Sequence, residues 1–242
     1  MFEVNGKKVL VTGSTQGIGL AIARMFSEAG AQVWVAGTRQ GKTDEVAKLL
    51  GGPARAVWGD LANPETPKHM HDVTGDVDIL VLNASVQYRR HWDEISLEEF
   101  DTQMHVNLFA NLRLIQLYAP AMLSKGWGRI ITIGSVQEFV PHRDMAVYAA
   151  SKSGLDNLVK NLAKQFGPYH VTVNNVLPGA MLTPRNAGAV SDKGYMQKVL
   201  AGIPLGSMGK ASDCNGVVRL LASEDGAYIT GATISVDGGM SL

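Results

Sequence analysis

The chain has 242 residues, 45% of them hydrophobic and 18% charged, with 22 basic and 22 acidic side chains in formal balance. That length and apolar content suit one α/β domain with a sizeable core and exclude a disordered chain. A zero net charge without a basic block argues against nucleic acid as a partner, and the single cysteine, Cys214, leaves no intramolecular disulfide, which fits a reducing compartment.

In chain order, a strand is predicted over residues 9–12, then a helix over 18–28 with Ile18, Ile22, Met25 and Phe26 on one face. A strand at 33–36, a helix at 44–50 and strands at 54–58 and 79–83 follow. A long helix is predicted over 97–122, kinked or frayed near its end by Pro120. Next come a strand at 130–133, a helix at 146–166, a strand at 171–176, a helix at 212–222 and a strand at 233–236. Most of these strands are continuously apolar rather than alternating, as in parallel sheets covered on both faces. The fold class expected is α/β, a single Rossmann-type, doubly wound domain over residues 1–242. The first strand begins without a charged and apolar leader, and no segment approaches the ~18 apolar residues of a membrane span. A soluble cytoplasmic protein with no membrane partner is the expectation.

Residues 181–210 differ from the rest. They carry Pro184, Pro204 and the glycines at 188, 194, 202, 206 and 209. They lie beyond the C-terminal end of the 171–176 strand, where open α/β sheets bind ligands. A connection this long is uncommon unless functional, and it is read as a mobile lid with one or two short helices.

Between the first strand and first helix stands Thr12-Gly13-Ser14-Thr15-Gln16-Gly17-Ile18-Gly19. Gly13 permits a tight turn, Gly17 lets backbone approach a pyrophosphate, and Gly19 allows close helix–strand packing. Free N–H groups and the helix dipole favour phosphate there, so a dinucleotide is expected at this turn.

The strongest functional signal is Tyr148 and Lys152, four apart and so on one helix face, with Ser135 upstream. A phenol with a pKa of about 10 is a poor proton shuttle at neutral pH. Bringing it to about 7 takes roughly 4 kcal/mol, which one cation at ~4 Å supplies at an effective dielectric of ~20. Lys152 beneath Tyr148 is such a cation, and the pair suits general acid/base chemistry.

Together these motifs resemble the short-chain dehydrogenase/reductase family over essentially the full length. They are Thr12-Gly13-x-x-x-Gly17-Ile18-Gly19, Gly59-Asp60-Leu61, Asn83-Ala84-Ser85, Asn107, Ser135, Tyr148-x-x-x-Lys152, Pro178-Gly179 and Asp237-Gly238-Gly239, in family order. The resemblance implies a seven-stranded parallel sheet, an NAD(P) cofactor and a homotetramer. It implies that Tyr148 moves the proton, Lys152 lowers its pKa and holds the nicotinamide ribose, Ser135 orients the reacting oxygen, and Asn107 anchors a relay water. Asp60 and Leu61 would contact adenine, and Asn83 and Ala84 would approach the cofactor backbone. Pro178, Gly179, Met181 and Thr183 would line the nicotinamide end. Gly13, Ser14, Gln16, Gly17, Ile18, Gly19, Thr38 and Arg39 complete the expected cofactor contacts. The chain departs from the family at Ser85, where glycine is usual.

After the second strand the chain reads Ala36-Gly37-Thr38-Arg39-Gln40, without the acid that would bind a ribose 2′-hydroxyl. Arg39 can pair with a 2′-phosphate instead, so NADP is favoured over NAD. The polar residues expected around the substrate are Gln87, Arg89, Arg90, Gln137, Glu138 and Arg143, with Tyr88, His142 and Arg185 nearby. The runs Asn83 to Arg90 and Ile133 to Gln137 resemble the sugar-acid branch of the family, such as gluconate 5-dehydrogenases and ketodeoxygluconate reductases. The histidines are scattered, without metal-ligand spacing, so no metal is expected. The function expected is interconversion of a carbonyl and a secondary alcohol on a small polar molecule such as a sugar acid or polyol. A 3-oxoacyl-thioester or general ketone reductase is the alternative. A nucleotide-sensing regulator without turnover is the rival from another class, and the presence of Asn107, Ser135, Tyr148 and Lys152 together argues against it.

Overall fold

The computed structural model describes residues 2–242, and of residues 189 and 190 the backbone alone. The first half runs β1 (Lys8–Val11), α1 (Gly17–Glu28), β2 (Gln32–Gly37), α2 (Gln40–Leu50), β3 (Arg55–Trp58), α3 (Thr66–Thr74), β4 (Ile79–Leu82), α4 (Leu97–Met104) and α5 (Ala110–Lys125). The second half runs β5 (Gly128–Ile133), α6 (Ala146–Phe166), β6 (Val171–Pro178), β7 (Met181–Leu182), α7 (Ala187–Ser191), α8 (Lys193–Ala201), β8 (Gly209–Lys210), α9 (Asn215–Ala222) and β9 (Thr233–Val236). Seven parallel strands form one sheet in the order β3-β2-β1-β4-β5-β6-β9. The strand order reverses between β1 and β4, and crevices for ligands open at such a switch point.

The continuous apolar runs are explained by two cores. Leu10, Leu80 and Ile130 pack with Leu114, Tyr118 and Val159 on one face of the sheet. Val9, Val11, Ile79, Val81 and Ile131 pack with Ile22, Phe26, Val218 and Leu221 on the other. Successive strand residues point to opposite faces, so a strand covered on both must be apolar at every position.

Two local features depart from expectation. The 97–122 helix is two helices joined by a π-helical turn at His105–Phe109, and Pro120 lies inside α5, which continues to Lys125. The break falls at Asn107 rather than at the proline. The helix α3 was not legible, because its buried face is small: Thr66, Pro67, Met70 and Thr74. The 181–210 segment contains α7 and α8, and β7 pairs with β8 to close the excursion at its base. Among the described residues no helix is long and apolar enough to cross a membrane.

Candidate active site

The switch point is stitched together by polar side chains. Thr12 Oγ1 accepts the backbone N–H groups of Asn83 at 2.9 Å and Ala84 at 3.0 Å. Asn83 Nδ2 returns bonds to the Thr12 carbonyl at 2.9 Å and the Gly13 carbonyl at 3.1 Å. Gly13 and Gly17 have φ of 62° and 57°, in the left-handed region that favours glycine. A Cβ on Gly19 would lie 2.4 Å from Asn83 Nδ2 and 2.5 Å from the Gly13 carbonyl oxygen. Gly19 therefore packs against the turn and Asn83, a closer constraint than the helix–strand packing expected. Ser14 is a correction: its buried hydroxyl donates to the Val11 carbonyl at 2.7 Å and accepts from Ala36 N at 3.0 Å, joining β1 to β2 rather than facing a ligand.

Beside this turn opens a cleft of about 540 Å³. Gly13, Gln16, Gly17, Ile18, Thr38, Asp60, Leu61, Asn83 and Ala84 line it, as do Pro178, Gly179, Met181 and Thr183, and a Cβ on Gly17 would lie 3.6 Å from Thr183 Cγ2. No side chain caps the N-terminus of α1, and its first turn holds no acid. Its N–H groups thus remain open to a pyrophosphate, and the residues present fit a nicotinamide dinucleotide. Arg39 follows Thr38 at the rim, exposed, and its side chain has no hydrogen-bond partner among the described residues.

Ser135, Tyr148, Lys152 and Asn107 are all buried, and of the four Ser135 and Tyr148 line the cleft. Ser135 sits just after β5, where its hydroxyl accepts Gln137 N at 3.2 Å. Tyr148 and Lys152 share α6, as their spacing dictates. The lysine Nζ is 5.9 Å from the phenol ring centroid and donates to the Ile133 carbonyl at 2.7 Å. Burial raises the Tyr148 pKa; the Arg185 charge and the Ser135 and Ser85 hydroxyls pull it back. Burial, then Arg185, brings Lys152 down to about 7, against the pull of Glu138. Arg185 is the one cation among the causes acting on the phenol, and the net direction stays upward, opposite to the lowering expected from Lys152. Asn107, placed by the π-helical turn, bonds Val86 in both directions at 2.9 Å and Ser151 Oγ at 3.1 Å. Asn111 Nδ2 donates to the Asn107 carbonyl at 2.6 Å. The Asn107 side chain fixes the backbone after β4.

Of the residues expected around a substrate, Gln87, Arg89 and Gln137 line the cleft. Arg90 does not: its guanidinium pairs with Glu99 at 2.9 Å. Arg143 also turns away, into solvent beside Asp144 at 3.4 Å. Glu138 folds back beneath the β5 end, where it accepts Ser135 N at 2.9 Å and Asn175 Nδ2 at 3.1 Å. Burial pushes its carboxyl up to about 7. What sequence reasoning missed is a clasp across the cleft. Arg185 donates to Ser85 Oγ at 2.9 Å and to the Ser85 carbonyl at 2.6 Å. Ser85, the departure from the family pattern, was the one signal of it. From α8, Tyr195, Met196 and Val199 also face the cleft. Among the described residues no cluster of histidine, cysteine or carboxylate side chains is placed to hold a metal.

A family model described as enoyl-(acyl carrier protein) reductase matches residues 13–241. The glucose 1-dehydrogenase of Gluconobacter oxydans (strain 621H) is 35% identical over 246 residues, covering 98% of this chain and 92% of that protein. A 3-oxoacyl (acyl-carrier-protein) reductase from Agrobacterium tumefaciens C58 with NADP bound has a TM-score of 0.94 and 33% identity, over 98% of this chain and 95% of that one. A gluconate 5-dehydrogenase from Burkholderia cenocepacia J2315, in complex with NADP and tartrate, gives 0.93 at 30% identity, over 99% and 97%. Fold and cleft together define a Rossmann-type oxidoreductase that uses a nicotinamide cofactor. Within that class, the chain belongs to the short-chain dehydrogenase/reductase family.

Proposed function

We propose that this enzyme interconverts a carbonyl and a secondary alcohol on a small polar substrate such as a sugar acid or polyol, with NADP preferred over NAD. One observation carries this reading: Ser135 and Tyr148 meet in a cleft whose substrate wall is Gln87, Arg89, Gln137 and Arg185. The bound nicotinamide supplies or accepts the hydride. Ser135 holds the reacting oxygen by a hydrogen bond, and Tyr148 gives it a proton in reduction or takes one in oxidation. Lys152, anchored on Ile133, holds the cofactor ribose, and Asn107 keeps the post-β4 backbone in place around them. Thr38 in the cleft, exposed Arg39 next to it and the lack of an acid at the end of β2 support the 2′-phosphate.

Exposed Leu97, Phe100 and Phe109 on α4 and the following turn support a homotetramer, whose partner copy would cover them. The buried free thiol of Cys214 fits a cytoplasmic enzyme. Nicotinamide absorbance with a panel of ketones, sugar acids, polyols and acyl thioesters tests the substrate reading. Turnover of sugar acids or polyols is expected. Efficient turnover of 3-oxoacyl thioesters alone would replace it with the acyl-thioester reading, which the likeness to the Agrobacterium reductase favours.

A further inference from the structure

Two arginines line the cleft, and they are not equivalent. Arg89, after β4, stands 5.7 Å from the Tyr195 ring of α8. Arg185, in the turn Pro184–Asn186, holds Ser85 with two hydrogen bonds. That turn is itself fixed, since Asn186 donates its backbone N–H to Thr183 O at 3.0 Å and its side-chain amide to Met181 O at 2.9 Å. No carboxylate pairs with Arg185 among the described residues. Its charge acts on both Tyr148 and Lys152, and the Ser85 hydroxyl it holds faces the Tyr148 phenol. An unpaired guanidinium with N–H groups to spare therefore lines the same cleft as Ser135 and Tyr148.

We propose that Arg185, seated on Ser85, is the specificity-determining residue, and that it takes a carboxylate carried close to the reacting carbon, as in a short oxo or hydroxy acid. The inference rests on the polar-substrate reading above and narrows it. A guanidinium is planar and matches a carboxylate in two parallel bonds, so it fixes both position and rotation of the substrate. With the carboxylate on Arg185 and the neighbouring oxygen between Ser135 and Tyr148, the carbon between them is presented to the cofactor in one orientation. Ser85 keeps the side chain from swinging out with the lid. A glycine there would leave only the backbone carbonyl to hold it.

The test is calorimetric and needs no turnover. Tartrate, whose carbinol carbons each carry a carboxylate, and threitol, its neutral counterpart, are titrated into the enzyme–NADP⁺ complex. The wild type is expected to bind tartrate more tightly than threitol. Arg185→Met is expected to weaken tartrate by about tenfold or more, the loss of a charge-assisted contact, with threitol and NADP⁺ affinities changed by less than about threefold. Unchanged tartrate affinity in Arg185→Met would show that another residue reads the acid, and the polar-acid reading would stand without this inference. A wild-type complex that binds tartrate no better than threitol would overturn the inference and leave the polyol branch of the polar-substrate reading, and binding of neither would overturn both. An equal loss of NADP⁺ affinity would make Arg185 a lid clasp and overturn the inference alone. Arg185→Lys keeps the charge without the fork and carries the test if the methionine variant fails to fold. Weakened tartrate with unchanged threitol supports the inference, and no change overturns it.

Discussion

At the β1–β4 end of the cleft, backbone groups and short buried side chains lock one another: Thr12, Gly13, Asn83 and Ala84 exchange hydrogen bonds, and Gly19 leaves no room for a Cβ. The wall formed by residues 181–210 is held by long side chains, Arg185 to Ser85 and Arg89 towards Tyr195. The first arrangement has one solution and tolerates little, which suits a cofactor whose pyrophosphate is the same in every turnover. The second can be rebuilt by changing a few exposed residues, which suits a family that varies its substrate on a constant scaffold.

The sharpest break of that contrast comes from matched glycine substitutions. Gly19→Ala puts a Cβ into collision with the Gly13 carbonyl and the Asn83 amide. It is expected to cost roughly 1–3 kcal/mol through overpacking, to lower the melting temperature by roughly 2–12 °C and to abolish measurable NADPH binding. Gly188→Ala in α7 meets nothing within 4 Å and is expected to change neither. Calorimetric melts and fluorescence titration of both variants check this. Equal tolerance at both sites would remove the distinction between the two regions.

Arg39→Ala tests the rim of the locked end. Losing a charge-assisted bond to the 2′-phosphate is worth roughly 1.5–3 kcal/mol, so the ratio of kcat/KM with NADPH to that with NADH is expected to fall by more than about tenfold. Equal losses with both cofactors would assign the preference elsewhere.

The smallest effects are shifts of the pH profile, and they have opposite signs. Arg185 favours the anionic phenol of Tyr148 and the neutral amine of Lys152, so both pKa values lie lower for its presence. Arg185→Met is expected to move the profile of kcat/KM to higher pH. The carboxylate of Glu138, ionised above about pH 7, raises both. Glu138→Gln removes the charge and keeps one acceptor, for Ser135 N, while an amide N–H replaces the oxygen that accepts Asn175 Nδ2; it is expected to move the profile to lower pH. Shifts of the same sign in both variants would show that neither charge tunes the pair.

Much of this was legible in the sequence. Continuous apolar strands such as Ile79–Leu82 announce a sheet buried on both faces, and every expected strand lies in that sheet. The helix Ala146–Phe166 carries Tyr148 and Lys152 with the bounds its apolar spacing predicts. What was not legible depends on where long side chains end. Arg89 and Arg90 are adjacent in sequence, yet one lines the cleft and the other pairs with Glu99 on α4. The burial of Glu138 depends on Gly134, whose Cβ would collide with its carboxylate, and on Asn175 from the next strand. The π-helical turn at Asn107 lies within a helical pattern that shows no glycine or proline to mark it.

The measurement closest to the central claim is single-turnover kinetics of Tyr148→Phe beside a titration of its NADPH affinity. The substitution deletes the hydroxyl and leaves the ring packed in the α6 face. The account predicts a fall of at least about a hundredfold in rate, with NADPH affinity within about threefold of wild type. More than about a tenth of the wild-type rate retained with every active substrate would contradict the assignment of the proton to Tyr148.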